Sequence, residues 1–288
     1  VKMDINEIVV ISGKGGTGKT TLTASLIPYF ERVVLADCDV DAPDLKILFK
    51  GETKSTEEFV GLKKAIVNKE FCINCRICYE KCKFNAISED IIINPAKCEG
   101  CSVCEAICPT GAIKMVDAVV GQLFVSDTDY GDMVHARLIP GEETSGRLVS
   151  EVRKIAKKIA KEEDRKTILV DGSPGIACNV ISSITGAKKV ILVTEPSFSG
   201  LHDLKRVYEL TQKFRLPVYV VINKYDLSLE MSNTIEDYCN ENSIKLSLKI
   251  PFNKDLVKSI VNKKIPSLEE KEFFDSLGFQ EFINELKK

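Results

Sequence analysis

The chain has 288 residues, 44% of them apolar, and a formal net charge of −2 at pH 7. That length suits one large domain with a small one inside or beside it. The balanced charge offers no basic field for nucleic acid. There is no run of about 18 apolar residues for a membrane span, and the first residues lack the zones of a secretory signal, so a cytoplasmic protein is expected.

In chain order, short β-branched runs recur at 8–12 (IVVIS), 33–37 (VVLAD), 167–172 (TILVDG), 190–196 (VILVTEP), 218–224 (VYVVINK) and 246–251 (LSLKIP). They are nearly continuous in apolar residues, as strands buried on both faces of a parallel sheet are. Helix-length amphipathic stretches lie near 18–30, 145–162, 200–214, 230–242 and 254–263. The alternation predicts an α/β domain with a mostly parallel, doubly wound sheet. It breaks over 65–115, where cysteines, short loops and the run IIIN (91–94) take over. An inserted domain is therefore expected at 65–115, inside a discontinuous domain made of 1–64 and 116–288. The stretch 116–144 is less regular, with AVVGQLFVSD and MVHARLIPG as candidate edge strands. The acidic loop 140–148 enters a helix whose cap would be Thr144 or Ser145. One amphipathic helix is expected over 273–288. It places Phe273, Phe274, Leu277, Phe282, Ile283 and Leu286 near one face, for packing against the domain rather than a membrane.

GKGGTGKTT (13–21) follows a predicted strand and opens a predicted helix. Its glycines let backbone N–H groups converge on a phosphate at the helix N-terminus. Gly13, Gly15, Gly16, Thr17, Gly18, Lys19, Thr20 and Thr21 form this candidate cradle. Lys19 would pair with the β- and γ-phosphates, and the Thr20 hydroxyl would bind Mg²⁺.

KGGTGKTT resembles the deviant Walker A motif of the MinD/ParA/nitrogenase iron-protein family of P-loop ATPases. The resemblance implies that Lys14 reaches across a dimer interface to the partner's ATP. A second cation supplied in trans would neutralise charge on the transferring phosphoryl group. LADCDVDAPDL (35–45) resembles the family's first switch, which implies that Asp39 orients the attacking water or holds Mg²⁺. Asp44 is expected to cap the following helix. VDGSPG (170–175) resembles Walker B and the second switch, placing Asp171 near Mg²⁺ and the Gly175 N–H near the γ-phosphate. INKYD (222–226) resembles the purine-contacting segment, with Asn223 and Lys224 at the base. IPFN (250–253), through Pro251, matches the loop that flanks it.

Eight of the eleven cysteines fall between Cys72 and Cys108. Clustered cysteines in a cytosolic chain favour metal over disulfides. The segment 71–87 repeats at 97–113, cysteine for cysteine. Each run has the x2, x2, x3 spacing of a [4Fe–4S] site, in which the fourth cysteine serves the other cluster. One cluster would take Cys72, Cys75, Cys78 and Cys108, and the other Cys98, Cys101, Cys104 and Cys82. Two four-thiolate zinc sites are the competing reading. The insert resembles a bacterial-type two-cluster ferredoxin, an α+β domain. It departs from that pattern at Lys83, where the second run has Pro109. Cys178 is expected to be a buried structural residue and Cys38 a packing residue in a strand. His135 and His202 carry no assignment.

The whole chain thus resembles MinD-superfamily ATPases with an inserted ferredoxin domain. The resemblance implies ATP, Mg²⁺ and two [4Fe–4S] clusters as cofactors. It also implies an ATP-dependent homodimer, or heterodimer with a paralogue, and a redox or client partner protein. Three functions compete: ATP-gated electron transfer, assembly or carriage of an iron–sulfur or metal cofactor, and a positioning or partitioning ATPase. The last is disfavoured by the missing basic stripe.

Overall fold

The computed structural model describes residues 4–49, 51–140, 142 and 145–288. In chain order it runs β1 (Asn6–Ser12), α1 (Lys19–Leu26), β2 (Val34–Asp37), α2 (Leu45–Leu48), β3 (Gly51–Val60), β4 (Lys64–Val67), α3 (Ile77–Lys81), α4 (Val103–Ala106), β5 (Ile113–Val116), β6 (Val119–Thr128) and β7 (Gly131–Leu138). It continues α5 (Ser145–Glu162), β8 (Thr167–Pro174), α6 (Cys178–Ile184), β9 (Lys189–Thr194), α7 (Phe198–Lys213), β10 (Val218–Asn223), α8 (Leu229–Glu241), β11 (Lys245–Ile250), α9 (Lys254–Val261), α10 (Pro266–Glu269), α11 (Lys271–Ser276) and α12 (Phe279–Lys287). These elements form two compact units. The first comprises the described residues of Val1–Thr56, Leu123–Arg137 and Ser145–Lys288, and the second those of Glu57–Gln122 and Leu138–Thr144. The second unit is wider than the 65–115 expected from composition.

The nine-stranded sheet has the order β11-β10-β9-β1-β8-β2-β7-β6-β3. β1 pairs in parallel with β8 and β9, β10 with β9 and β11, and β2 with β8 and β7. Ile8 to Ile11 and Val34 to Ala36 are fully buried, which explains their unbroken apolar run. Because these strands are parallel, the C-terminal ends of β1, β2, β8, β9 and β10 open on one edge of the sheet. That is where α/β sheets bind ligands.

Three readings need correction. Neither AVVGQLFVSD nor MVHARLIPG is an edge strand, since β7 pairs with β2 (Ala36↔Val134) and β6 lies between β7 and β3. The edge is β3, GETKSTEEFV, which sequence reading passed over. Nearly all its side chains are exposed and only Phe59 is buried, so it has no apolar stripe. Charged residues along an edge also block pairing with another chain. The C-terminal helix is two, α11 and α12, because Gly278 takes a left-handed φ of 72°. Both pack on the first unit's core, where Phe279 meets Phe274 (centroids 4.7 Å apart) and Tyr29 (5.5 Å). Thr144 and the Ser145 side chain, proposed as the α5 cap, lie outside the described residues.

In the second unit, β4 and β5 form an antiparallel pair, and Ala65, Cys78, Ala86, Ile87, Ile91, Cys98 and Ile113 build a small core. The sequence repeat is also a backbone repeat. Left-handed residues occur in matched pairs at Asn74 and Gly100, Arg76 and Ser102, and Asn85 and Gly111. The cysteines of the two halves therefore hang on equivalent turns.

Candidate functional site

The loop between β1 and α1 is shaped by what crosses it. A Cβ on Gly18, whose φ is 89°, would lie 2.2 Å from Asn223 Nδ2, and one on Gly13 would lie 2.3 Å from the Asp203 Cβ. Only glycine admits β10 and α7 this closely. Lys19 is buried and bonds Asp171 Oδ1 at 2.9 Å, with Asp39 at 3.8 Å. The hydroxyls of Thr20 and Thr23 donate to Asp171 at 2.7 and 3.0 Å. Thus Lys19, Thr20, Asp39 and Asp171, named from sequence, are brought together.

Sequence reasoning missed Asp37, whose signal was its place two residues before Asp39. It is fully buried and accepts the N–H groups of Asp39 (3.2 Å) and Leu45 (3.1 Å). Asp37, not the Asp44 side chain, therefore caps α2, since Asp44 makes no capping bond. Ser173 was missed too; it donates to the Cys38 carbonyl at 2.6 Å while the Cys38 N–H donates to the Asp171 carbonyl at 2.8 Å. The two switch segments are thereby tied together. Cys38 lies just past β2 and is fully buried.

The charges there do not balance. One lysine faces three carboxylates. Burial, with Asp171 adding to it, pushes the Asp37 carboxyl well above the usual range, and burial likewise pushes Asp39 up. Burial alone would lower Lys19, but Asp171, Asp39 and Asp37 outweigh it and the ammonium is held above its ordinary value. A divalent cation beside Asp39 and Asp171 would supply the missing positive charge. In the loop, the buried Thr17 hydroxyl has no hydrogen-bond partner among the described residues, and a phosphate oxygen would provide one. These residues fit a magnesium nucleotide.

Lys14 lies apart from Lys19. Its Nζ pairs with Glu195 Oε1 at 2.5 Å and donates to Ser199 Oγ at 2.9 Å. Glu195 and Ser199 were also missed, though a Glu-Pro at the end of β9 was a signal, since strand C-termini carry sites. The Gly175 N–H donates to the Ser12 carbonyl at 2.8 Å. Asn223 Nδ2 donates to the Thr17 carbonyl at 2.7 Å, and its Oδ1 accepts the Lys224 N–H. Lys224 Nζ donates to the Gly16 carbonyl at 3.2 Å. Pro251 precedes Phe252, whose N–H donates to Asp226 Oδ1 at 2.6 Å. The purine-side segment is thus stitched to the phosphate loop by its own amide and ammonium.

The second unit gathers its cysteines around two cavities. One is lined by Cys72, Cys75, Cys78 and Cys108, and the other by Cys82, Cys98, Cys101 and Cys104. The fourth cysteine of each run crosses to the other cavity. Backbone N–H groups of Ala86 and Ala65 approach Cys82 Sγ (3.4 Å) and Cys98 Sγ (3.5 Å). Among the described residues, no three His, Cys, Asp or Glu side chains are drawn close enough to hold a single metal ion. Four cysteines line each cavity, a donor set that would suit an iron–sulfur cluster or a four-thiolate zinc site. Cys178, expected to be buried, is exposed at the start of α6, while Cys239 is buried and burial lifts its thiol to about 11.

The CobQ/CobB/MinD/ParA nucleotide binding domain matches residues 8–266. An uncharacterized protein of Methanocaldococcus jannaschii is 32% identical over 262 residues, covering 90% of this chain and 89% of that protein. The polyferredoxin protein MvhB of Methanothermobacter thermautotrophicus is 47% identical over 60 residues, which is 20% of this chain and 14% of MvhB. Among solved structures, the septum site-determining protein MinD of Pyrococcus horikoshii, complexed with Mg-ADP, aligns with a TM-score of 0.56 at 18% identity, covering 97% of this chain and 93% of its own. That likeness establishes the fold.

Proposed function

The chain belongs to the CobQ/CobB/MinD/ParA nucleotide-binding family, and from that premise we propose an Mg-ATP-hydrolysing dimer that couples its closure to electron transfer through two [4Fe–4S] clusters. The observation that carries the redox half is the pair of four-cysteine cavities in a chain of this ATPase family. The short MvhB similarity supports electron transfer over a purely structural insert.

On this reading the N–H groups of 13–18 and the Lys19 ammonium hold the triphosphate, and Thr20, Asp39 and Asp171 hold the cation. Asp39 orients the attacking water, and Asp37 fixes the loop that presents Asp39. Lys14 crosses to the partner subunit and offsets charge that develops in the transition state. Asn223, Lys224 and Pro251 border the base. Cys72, Cys75, Cys78 and Cys108 would hold one cluster, and Cys82, Cys98, Cys101 and Cys104 the other. Bound clusters supply one-electron transfer at potentials set by sulfur hydrogen bonds and solvent access. The tie from Ser173 to Cys38 lets a change at one switch reach the other.

The test is anaerobic preparation, an iron count and electron paramagnetic resonance of the reduced protein. About eight irons per chain are expected, with spectra or potentials that differ with and without Mg-ATP. Identical spectra and potentials would reject coupling. Passage of iron to an apo-protein would favour the carrier role instead.

A further inference from the structure

We propose that Glu195 is a positioning residue that parks Lys14 in its own subunit and so sets the threshold for nucleotide-dependent dimerisation. This rests on the reading above, in which Lys14 acts across the dimer. Among the described residues Lys14 has one carboxylate partner, Glu195 Oε1 at 2.5 Å, supported by the Ser199 hydroxyl at 2.9 Å. While it holds these contacts it cannot serve a second subunit.

The seat of Glu195 is rigid. Ser197 caps α7 by accepting the Gly200 N–H at 3.0 Å, and Thr194 Oγ1 donates to the Gly200 carbonyl. A Cβ on Gly200 would lie 2.2 Å from the Glu195 carbonyl oxygen, so the turn is closed tightly on itself. Behind it, Gly13 and Asp203 bring α7 against the phosphate loop.

The contact is also built to be released. Both partners are partly solvated, with side-chain exposures of 34% for Lys14 and 22% for Glu195, so the pair is weak enough to exchange. Lys224 stands 3.8 Å from the other oxygen, Glu195 Oε2. When Lys14 departs, Glu195 keeps a cation, and no carboxylate is stranded. The γ-phosphate of a facing subunit offers Lys14 several acceptor oxygens and more charge than one carboxylate does. Without it, the intramolecular pair holds.

The experiment compares parent and Glu195→Gln by sedimentation over a range of protein concentrations, anaerobically, with Mg-ADP and with a non-hydrolysable ATP analogue. With the analogue, Glu195→Gln is expected to dimerise at about tenfold lower concentration, since two weak pairs are released per dimer. Nucleotide affinity of the single subunit should stay within about twofold. Ser199→Ala should act in the same direction and less strongly, and Glu195→Asp should restore the parent threshold. In a Lys14→Ala background the Glu195 substitution should do nothing, as a coupled pair requires. A threshold that is unchanged or raised, or a shift that persists without Lys14, overturns the parking role while the dimer reading stands. A parent that stays monomeric with the analogue overturns both.

Discussion

Around Lys19 the interacting groups come from distant parts of the chain. Asp37 ends β2 and Asp39 follows it, Asp171 lies within β8, and Asn223 ends β10. Around the cysteine cavities every ligand candidate lies between Cys72 and Cys108, on two copies of one turn. The first site depends on a parallel sheet that aligns strand ends, and its charged groups meet across long sequence separations. The second depends on local spacing and thiolates. The two should therefore fail independently.

The sharpest way to break that contrast is to damage each site and measure the other. Lys19→Gln removes the ammonium that pairs with Asp171 and should weaken nucleotide binding at least about 100-fold, with iron still near eight per chain. Cys101→Ala should cost about four irons and leave nucleotide affinity unchanged. Calorimetry and iron analysis on both variants decide it; loss of nucleotide binding in Cys101→Ala would mean that the sites are not separable. Asp39→Ala should be narrower, slowing turnover about 100-fold or more while nucleotide still binds. Steady-state hydrolysis alongside nucleotide titration separates that outcome from a binding defect.

The same contrast explains what could be read in the sequence. Cysteine spacing is a one-dimensional signal, so the grouping of the eight cysteines into two sets of four was legible without a fold. The loop 13–21 and Asp171 were legible because strand, glycines and helix are contiguous. Asp37, Glu195 and Ser173 were not, because their roles are bonds to backbone or side chains elsewhere in the fold. β3 was missed since it buries almost nothing, and β7 was misplaced since pairing with β2 leaves no mark in composition. The exposure of Cys178 was hidden for a similar reason: a short helix of mixed residues does not announce which end faces solvent.

A third test addresses the framework of the first unit. Glu7 is buried in β1 and is met by Arg153 Nε at 2.8 Å, Arg153 NH2 at 2.7 Å and Lys157 at 2.8 Å. Arg153 also donates to the carbonyls of Ser182 and Thr185 at the end of α6. Arg153→Leu leaves the buried carboxylate with Lys157 alone and should cost up to about 3–5 kcal/mol in chemical unfolding. The Glu7→Gln/Arg153→Leu pair should recover much of it. Recovery would assign the loss to the charge that Lys157 alone does not offset, whereas no recovery would assign it to the α6 carbonyls.

The smallest effect expected is an acid one, and it too should fall on the first unit, because neither histidine lies in the second. His135 is buried on β7, stacked on Phe124 with ring centroids 4.9 Å apart, and its Nδ1 has no hydrogen-bond partner among the described residues. Burial first, then the charges of Lys46 and Arg137, lower its pKa to about 4, from an ordinary 6.5. The folded state therefore favours the neutral ring. As pH falls from 6.5 towards 4 the unfolded chain takes up the proton and the folded chain does not, so stability declines over that window and levels off below it. The full shift corresponds to at most about 3 kcal/mol. His135→Gln should remove this slope. Loss of the ring stack adds an offset, but that offset is the same at every pH, so the difference between parent and variant in urea unfolding should change between pH 7 and pH 4. A difference that stays constant would mean that the ring finds a proton acceptor in the fold, and that the acid sensitivity of the first unit resides in its carboxylates.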